Sequence, residues 1–105
     1  MQIQQVTGFE WDDGNENKCQ KHGVSLSDLE SAFYRTVHIF PDPAHSQSEQ
    51  RYIALSETDE GRAIFVAFTL RQREGKTYIR PISARYMHRK EVEHYEKEIA
   101  KLNDR

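Results

Sequence analysis

Apolar residues in the N-terminal third of the chain recur with the spacing of a helix. A first short helix is predicted after Asp12 or Asp13, either of which can cap it, and it runs to about Lys21 and ends at Gly23. A second helix is predicted after Ser25, because residues 25–28 have the form of a capping box with Asp28 in the return position. The apolar face of this second helix consists of Leu26, Leu29 and Phe33.

Apolar and polar residues alternate in the middle of the chain, which is typical of half-buried strands. Strands are predicted from Thr36 to Phe40, over 51–56 and 63–70, and from Thr77 onward, with the polar residues 44–50 as a surface loop. The run 63–70 is apolar at nearly every position, which indicates a central strand covered on both faces. Because the connections are short, the four strands are predicted to form an antiparallel meander.

The two ends of the chain complete the predicted fold. Phe9 and Trp11 belong either to a short strand or to an extended segment that packs under the first helix. The last helix is amphipathic, with an apolar stripe made of His88, Val92, Tyr95, Ile99 and Leu102. The chain 1–105 is therefore predicted to be a single α+β domain with two short N-terminal helices, a four-stranded antiparallel sheet and a C-terminal amphipathic helix.

The composition limits the functions that the domain can have. A net charge of −2 excludes a domain that binds nucleic acid through overall basic charge, so any nucleic-acid site must be a local patch. The single cysteine, Cys19, cannot form an internal disulfide, which fits a reducing compartment. No apolar run approaches the roughly 20 residues that a membrane span needs, and the N-terminus lacks the pattern of a signal peptide. We therefore expect a soluble cytoplasmic protein without membrane association.

The spacing of the histidines and the absence of the common catalytic motifs predict that the protein uses neither a metal ion nor a cofactor. The five histidines include no HxxxH pair on one helix and no cysteine partner. The GxSxG, Walker and GxGxxG motifs are absent from the sequence. Acid-base chemistry by a histidine stays open, because imidazole titrates near neutral pH. His22 also has a structural explanation, since a cation is favoured at the C-terminal end of a helix.

Basic residues surround the predicted junction of the last strand and the last helix: Arg80, Arg85, His88, Arg89 and Lys90. Strand alternation places Arg80 and Arg85 on opposite faces unless a bulge intervenes, and Pro81 favours a bulge or an edge position. Once the helix has begun, Arg85 and Arg89 stand four residues apart on one side of it. Such a cluster suits a phosphodiester, because the guanidinium fork matches phosphate oxygens. The alternative is a solvated strand end whose arginines pair with glutamates.

Several motifs occur in a characteristic order: FEWD at 9–12, KHGVS at 21–25, a Pro-Asp-Pro turn at 41–43 followed by EQR at 49–51, RPISAR at 80–85, and Glu91 with Tyr95. Together they resemble the BrnT family of bacterial toxins over about residues 9 to 96. The resemblance implies a compact relative of the RelE ribonuclease toxins. It also implies a small BrnA-type antitoxin with a ribbon-helix-helix DNA-binding part, which inhibits the toxin and with it represses their operon.

The ribonuclease hypothesis is a metal-independent reaction in which the ribose 2′-hydroxyl attacks the adjacent phosphate. Arg85 and Arg89 are predicted to hold the phosphate. Outer contacts to RNA are assigned to four basic residues: Arg51, Arg71, Arg80 and Lys90. Proton transfer is assigned to His22, Glu49 or Tyr95, although helical periodicity also gives Tyr95 a place in the core.

Two other functions stay open. The chain can be a non-catalytic module whose basic patch and sheet edge dock an antitoxin-like protein, and its sequence pI of about 6.2 suits protein binding as well as it suits RNA binding. Direct binding to DNA is a weaker hypothesis, because no recognition helix with a basic face is predicted. Operator DNA is then contacted only through the antitoxin.

Overall fold

The secondary structure follows the predicted order, with one additional strand at the N-terminal end. The computed structural model describes residues 5–35 and 37–103. Its elements are β1 Val6–Phe9, α1 Asp13–Gln20, α2 Leu26–Ala32, β2 His38–Pro41, β3 Arg51–Glu57, β4 Ala63–Arg73, β5 Lys76–Tyr86 and α3 Arg89–Asn103. A single 3₁₀ turn, Pro43–His45, lies between β2 and β3. Thr36 and the side chain of Leu102, which were placed in a strand and on the apolar stripe, lie outside the described residues.

Both predicted N-terminal helices are confirmed, together with their caps. Asp12 caps α1 by accepting a hydrogen bond from the backbone N–H of Asn15 at 3.1 Å, and the Asn15 side chain returns one from the N–H of Asp12 at 2.7 Å. Ser25 caps α2 by accepting from the N–H of Asp28 at 3.0 Å, but the predicted capping box is incomplete, because the Asp28 carboxylate accepts from the hydroxyl of Tyr86 at 3.3 Å instead. Gly23 separates the two helices with a φ of 88°, a conformation that glycine adopts at no steric cost.

The described strands form one mixed sheet in the order β1-β5-β4-β3-β2. β4 is the middle strand, as predicted, and β2 to β5 are joined by antiparallel pairs. The prediction of a four-stranded antiparallel sheet is wrong in one respect, because β1 adds a fifth strand that runs parallel to β5. A parallel pair needs a long connection. Here most of the domain lies between the two strands, so no local sequence pattern indicates that they pair.

β5 contains a β-bulge at Ile82, where its pairing with β4 shifts by one residue. Pro81 lies beside the bulge and beyond Ile79, the last residue of β5 that pairs with β1. The missing N–H of Pro81 therefore interrupts no ladder on the β1 side, which confirms the predicted effect of this proline. The extra residue offsets the alternation of side chains, so that Arg80 and Arg85 lie on the same face of the sheet.

One face of the sheet packs against α1 and α2 and forms the hydrophobic core. Its fully buried side chains come from strands and helices alike: Cys19, Val24, Leu29, Ile64, Val66, Phe68, Ile79 and Ala84. The Phe33 and Phe68 rings meet edge to face with centroids 5.4 Å apart. The residues that alternate with these along β3, β4 and β5 point to the opposite side, which we call the open face.

β5 continues to Tyr86, and α3 begins only at Arg89. The prediction that Arg85 and Arg89 share one side of the closing helix is therefore wrong. Arg85 stays in the strand because the ladder with β4 extends to the pair of Tyr86 with Ile64. The apolar stripe of α3 lines a groove of about 300 Å³ over the ends of β3 and β4. In the described part of the chain, no helix is long and apolar enough to span a membrane.

Candidate functional site

Three arginines from three adjacent strands lie side by side on the open face. Arg51 of β3 and Arg80 of β5 are each paired directly with Thr69 of β4. Arg71 lies two residues further along β4 and points to the same face, since side chains alternate along a strand. Opposite residues on one face have Cβ atoms about 5 Å apart. The sheet itself therefore brings the three arginine side chains together.

These arginines line a cavity of about 330 Å³, which we call the arginine cavity. Glu49, from the loop before β3, and Lys18, from α1, line the same cavity. The lining of the cavity thus contains three arginines and one lysine but only one carboxylate. A concave surface lined mainly by one sign of charge concentrates ligands of the opposite sign, so the cavity is suited to an anion.

Arg80 is held in place by two acidic residues from the beginning of the chain. Its Nη1 lies 3.1 Å from Oε1 of Glu10, and its Nη2 lies 2.9 Å from Oδ2 of Asp12. Glu10 also accepts a hydrogen bond from Nε of Arg73 at 2.6 Å. This hydrogen bond, followed by the charges of Arg73, Arg80 and Arg71, lowers the pKa of Glu10. Glu10 is therefore ionised at neutral pH and positions Arg80 at the wall of the cavity.

Arg51 and Arg71 keep unused hydrogen-bond donors. Their Nε atoms are buried and have no hydrogen-bond partner among the described residues. Arg71 pairs with Glu49, with 3.3 Å between Nη2 and Oε2, while Arg51 has no ion-pair partner in the part of the chain that the structure describes. A buried donor without a partner costs roughly 1–3 kcal/mol. The hydrogen-bonding capacity of the two guanidinium groups is therefore not exhausted by the described residues.

The loop before β3 is fixed by hydrogen bonds, although its polar sequence predicts only a surface loop. Thr69, which is 2% exposed, donates from Oγ1 to the carbonyl oxygen of Gln50 at 2.7 Å. The backbone N–H of Arg51 donates to Oγ of Ser46 at 2.9 Å. These bonds hold Glu49 and Arg51, the two neighbours of Gln50, at the edge of the arginine cavity.

Arg85 lies on the same face in a separate cluster. It is paired with Phe65 of β4, about 13 Å along the strand from Thr69 at the usual rise per residue. Its two Nη atoms donate to the carboxylate of Glu91 at 2.6 and 2.7 Å, and its guanidinium lies 4.5 Å from the centroid of the Phe65 ring. The hydrogen bond with Glu91 raises the pKa of Arg85, and the neighbouring Tyr95 adds to the effect. Arg85 therefore joins β5 to α3.

The remaining predicted site residues lie away from the arginine cavity. The side chain of Arg89 is 94% exposed and forms a weak ion pair with Glu93, at 3.6 Å. Lys90 is exposed on α3, and His22 is exposed in the turn after α1. Of the residues that the sequence suggested, the structure brings together Glu49, Arg51, Arg71 and Arg80. It does not bring to this cavity His22, Arg85, Arg89, Lys90 or Tyr95.

Sequence reasoning missed Lys18 as a lining residue and Glu10 and Asp12 as the partners of Arg80. One local signal could have revealed the cluster. Glu74 and Gly75 have φ values of 53° and 77°, as in a two-residue hairpin turn. With a two-residue turn at this position, residue 71 pairs with residue 78, and residue 69 pairs with residue 80. This register places Arg71 of β4 and Arg80 of β5 on one face of the sheet.

The lining of the arginine cavity suits an anion and not a metal ion. Cationic side chains outnumber the single carboxylate, and metal ions prefer carboxylate, imidazole or thiolate ligands. Within residues 5–35 and 37–103, no three His, Cys, Asp or Glu side chains are grouped so that they could hold a metal ion.

Comparison with known proteins shows a family to which the sequence of the chain is similar. Residues 11–91 match the family model described as "Ribonuclease toxin, BrnT, of type II toxin-antitoxin system". The matched region covers most of the chain and contains Glu49, Arg51, Arg71 and Arg80. No curated protein matches the chain.

Proposed function

The chain belongs to the BrnT family of ribonuclease toxins of type II toxin-antitoxin systems, and from that premise we propose that it cleaves RNA at the arginine cavity. The observation that carries the proposal is that Arg51, Arg71 and Glu49 line one cavity, where both guanidinium groups keep donors without partners among the described residues. Phosphodiester oxygens are natural acceptors for guanidinium donors. We also assign the chain to the RelE-like ribonucleases, as its sequence resemblance implies.

The proposed reaction is attack of a ribose 2′-hydroxyl on the neighbouring phosphorus, without a metal ion. Glu49 accepts the 2′-hydroxyl proton, because it is the only carboxylate among the described residues that line the cavity. Arg51 and Arg71 donate to the non-bridging oxygens, which gain charge as phosphorus becomes pentacoordinate. Donors that are already in place when charge develops need no reorganisation during the step, and this is the usual source of such catalysis.

Arg80 has a different part in this proposal. Its side chain is only 19% exposed, and two carboxylates neutralise its guanidinium group. It therefore contributes less net charge to the cavity than Arg51 or Arg71 does. We assign Arg80 to shaping the wall of the cavity, and Lys18, which lines the cavity and is exposed on α1, to contacting the RNA backbone.

We further propose a cytoplasmic site of action and a small BrnA-type antitoxin with a ribbon-helix-helix part as the neutralising partner. An antitoxin belongs to every type II toxin-antitoxin system by definition, and the family match supplies that context. Operator DNA is contacted through the antitoxin, because a net charge of −2 gives the toxin no overall attraction to DNA.

Growth arrest and RNA cleavage test the proposal together. Expression of the wild-type chain should arrest bacterial growth, and co-expression of the product of the neighbouring gene should relieve the arrest. Arg51→Ala and Arg71→Ala should each slow cleavage by the purified protein roughly 10²- to 10³-fold, the usual cost of removing one donor from a charge-stabilising site. Arg35→Ala is the matched control, because Arg35 is 40% exposed and pairs with Asp59 instead.

The chemistry of the cut is tested on the substrate. RNA with a single 2′-deoxy nucleotide on the 5′ side of the cleaved linkage should resist cleavage, and the normal product should end in a 2′,3′-cyclic phosphate. Protein treated with EDTA should keep its activity. Cleavage of the 2′-deoxy substrate at the normal rate would contradict the proposal.

A second function, a non-catalytic module that docks a ribbon-helix-helix partner, is favoured by the groove beneath α3. Leu55, Met87, Val92 and Ile99 line this groove, and the last three of them are only half-buried. An apolar groove of this kind is a common docking site for a partner. A passive module would bind its partner without arresting growth and without cutting RNA.

A further inference from the structure

A histidine-carboxylate pair lies immediately beside the arginine cavity. His45 ends the 3₁₀ turn Pro43–His45, and its Nδ1 lies 2.9 Å from Oδ2 of Asp42. Asp42 occupies the N-cap position of the turn, yet its side chain forms no cap hydrogen bond. Its carboxylate, 16% exposed, contacts the imidazole instead. The pair is therefore not explained by capping of the turn.

The backbone fixes this pair against Arg51. The N–H of Asp42 donates to the carbonyl oxygen of Arg51 at 2.9 Å. The hydroxyl of Ser46 accepts from the N–H of Arg51 at 2.9 Å and donates to the carbonyl oxygen of Asp42 at 2.6 Å. Both sides of the turn are thus tied to the first residue of β3. The position of His45 relative to Arg51 depends on the sheet and not on a free loop.

Arg51 contributes to the lining of two cavities. One is the arginine cavity, with Glu49 and Arg71. The other, of about 250 Å³, is lined by Ala44, His45, Gln47, Ser48 and Arg51. A phosphate bound by Arg51 therefore lies next to one cavity that contains a carboxylate and another that contains an imidazole. Phosphoryl transfer uses two such proton-transfer groups, one for the attacking oxygen and one for the leaving oxygen.

We propose that His45, oriented by Asp42, is the general acid that protonates the leaving 5′-oxygen. The inference rests on the proposed ribonuclease function and adds the proton donor that the arginine cavity lacks. With a carboxylate at Nδ1, the imidazole holds a proton on that nitrogen and leaves Nε2 for the substrate. The His45 side chain is 66% exposed, so the imidazole ring is accessible to a ligand.

The proton balance of the proposed step is complete. The 2′-oxygen forms a bond to phosphorus as its proton passes to Glu49. The bond from phosphorus to the 5′-oxygen breaks with its electron pair on oxygen, and that oxygen takes a proton from Nε2 of the His45 imidazolium. The products are a 2′,3′-cyclic phosphate and a free 5′-hydroxyl. Glu49 then loses its proton to water, and His45 regains one from water.

The test uses two forms of one RNA oligonucleotide that spans a linkage cut by the wild-type protein. One form has the natural 5′-oxygen at that linkage, and the other has a bridging 5′-sulfur, which leaves without protonation. His45→Ala should slow cleavage of the oxygen substrate roughly 10²- to 10⁴-fold and should cut the sulfur substrate at the wild-type rate. Asp42→Asn should show a smaller loss with the same dependence on the leaving atom. His94→Ala, an exposed histidine on α3, is the matched control.

The outcomes distinguish the role proposed for His45 from the role proposed for the arginine cavity. Equal losses of His45→Ala on both substrates, or wild-type rates on both, would overturn the assignment of the acid. Arg71→Ala should slow both substrates to a similar degree, because the phosphate needs its donor whichever atom leaves. Wild-type rates for Arg71→Ala would contradict the proposal that RNA is cleaved at the arginine cavity. The role of His45 would still be decided by the His45 and Asp42 variants. A wild-type protein that cuts neither substrate would remove the proposed function and this inference together.

Discussion

Asn15 is the side chain on which the start of α1, the end of β1 and the bulge of β5 all depend. It is 5% exposed. Its amide nitrogen donates to the carbonyl oxygens of Glu10 at 3.0 Å and Pro81 at 2.9 Å, and its amide oxygen accepts from the N–H of Asp12 at 2.7 Å. No water is needed to satisfy these backbone groups, because one side chain serves all three. We therefore predict a large effect of Asn15→Ala on stability.

The magnitude follows from the bonds that are lost. Asn15→Ala removes three hydrogen bonds, each with a net value of about 1 kcal/mol, and it leaves a buried carbonyl oxygen at Pro81 without that partner. The better helix propensity of alanine returns about 0.5 kcal/mol. The expected loss is therefore about 2.5 kcal/mol, a large part of the roughly 5–15 kcal/mol of a typical domain. For a chain of this length it corresponds to a fall in Tm of about 10 °C.

Urea unfolding measures this loss directly. Trp11, the single tryptophan, is a suitable fluorescence probe because its Nε1 donates to Glu30 at 2.7 Å in the folded protein. Asn17→Ala is the control, since Asn17 is exposed on the same helix. Asn15→Asp keeps the shape of the side chain but lacks both donors, so it should destabilise the protein at least as much as alanine does. A loss below about 1 kcal/mol for both Asn15 variants would refute the reasoning, because that is the value of a single net hydrogen bond.

Three further outcomes are expected. Burial raises the pKa of the Cys19 thiol to about 11, so this cysteine should react with a thiol reagent only after unfolding, and rapid reaction of the native protein would be inconsistent with the fold. A double-mutant cycle on Arg85 and Glu91 should give a coupling energy of about 1 kcal/mol, larger than that of the exposed ion pair at the start of α3, and equal values would argue against the bidentate contact. The pKa of Glu10 is lowered, chiefly by the hydrogen bond from Arg73, so its contribution to stability is full above the ordinary value of 4.5 and is lost as the pH falls through the lowered value. Glu10→Gln should therefore flatten the acid side of a plot of unfolding free energy against pH, and an unchanged slope would contradict this pairing.

The features that the sequence predicted correctly are those with local causes. Asp12, Ser25 and Gly23 act within a few residues of themselves, so the two short helices could be located from caps and a stop signal. The apolar run of β4 reflects burial on both faces. Such a run indicates a middle strand whichever parts of the chain form the neighbouring strands. The pairing of β1 with β5 has no local cause, because it joins residues that lie about seventy positions apart in the chain.

The position of the arginine cluster was predicted wrongly for a related reason. Arg80, Arg85 and Arg89 lie close together in the sequence, which predicts that they also lie close together in space. In the sheet, the residue opposite Arg80 is Thr69 of β4, which is paired on its other side with Arg51 of β3 and stands two positions from Arg71. A register error of one residue would have moved each of these arginines to the other face. The length of the hairpin turn between β4 and β5 sets this register. It therefore determines which arginines lie together more than the closeness of the basic residues in the sequence does.

The acidic balance of the chain is compatible with an anion site because most of the nearby carboxylates stand beside the cavity and not in it. Glu10 and Asp12 neutralise Arg80 from the side of β1, whereas Arg51 and Arg71 keep buried donors without partners. A net charge of −2 is a sum over the whole surface, but a bound phosphate responds mainly to charges within a Debye length, about 8–10 Å. The positions of the acidic residues therefore determine that Arg80 is neutralised, while Arg51 and Arg71 remain able to bind an anion. The net charge of the chain does not distinguish these two groups of arginines.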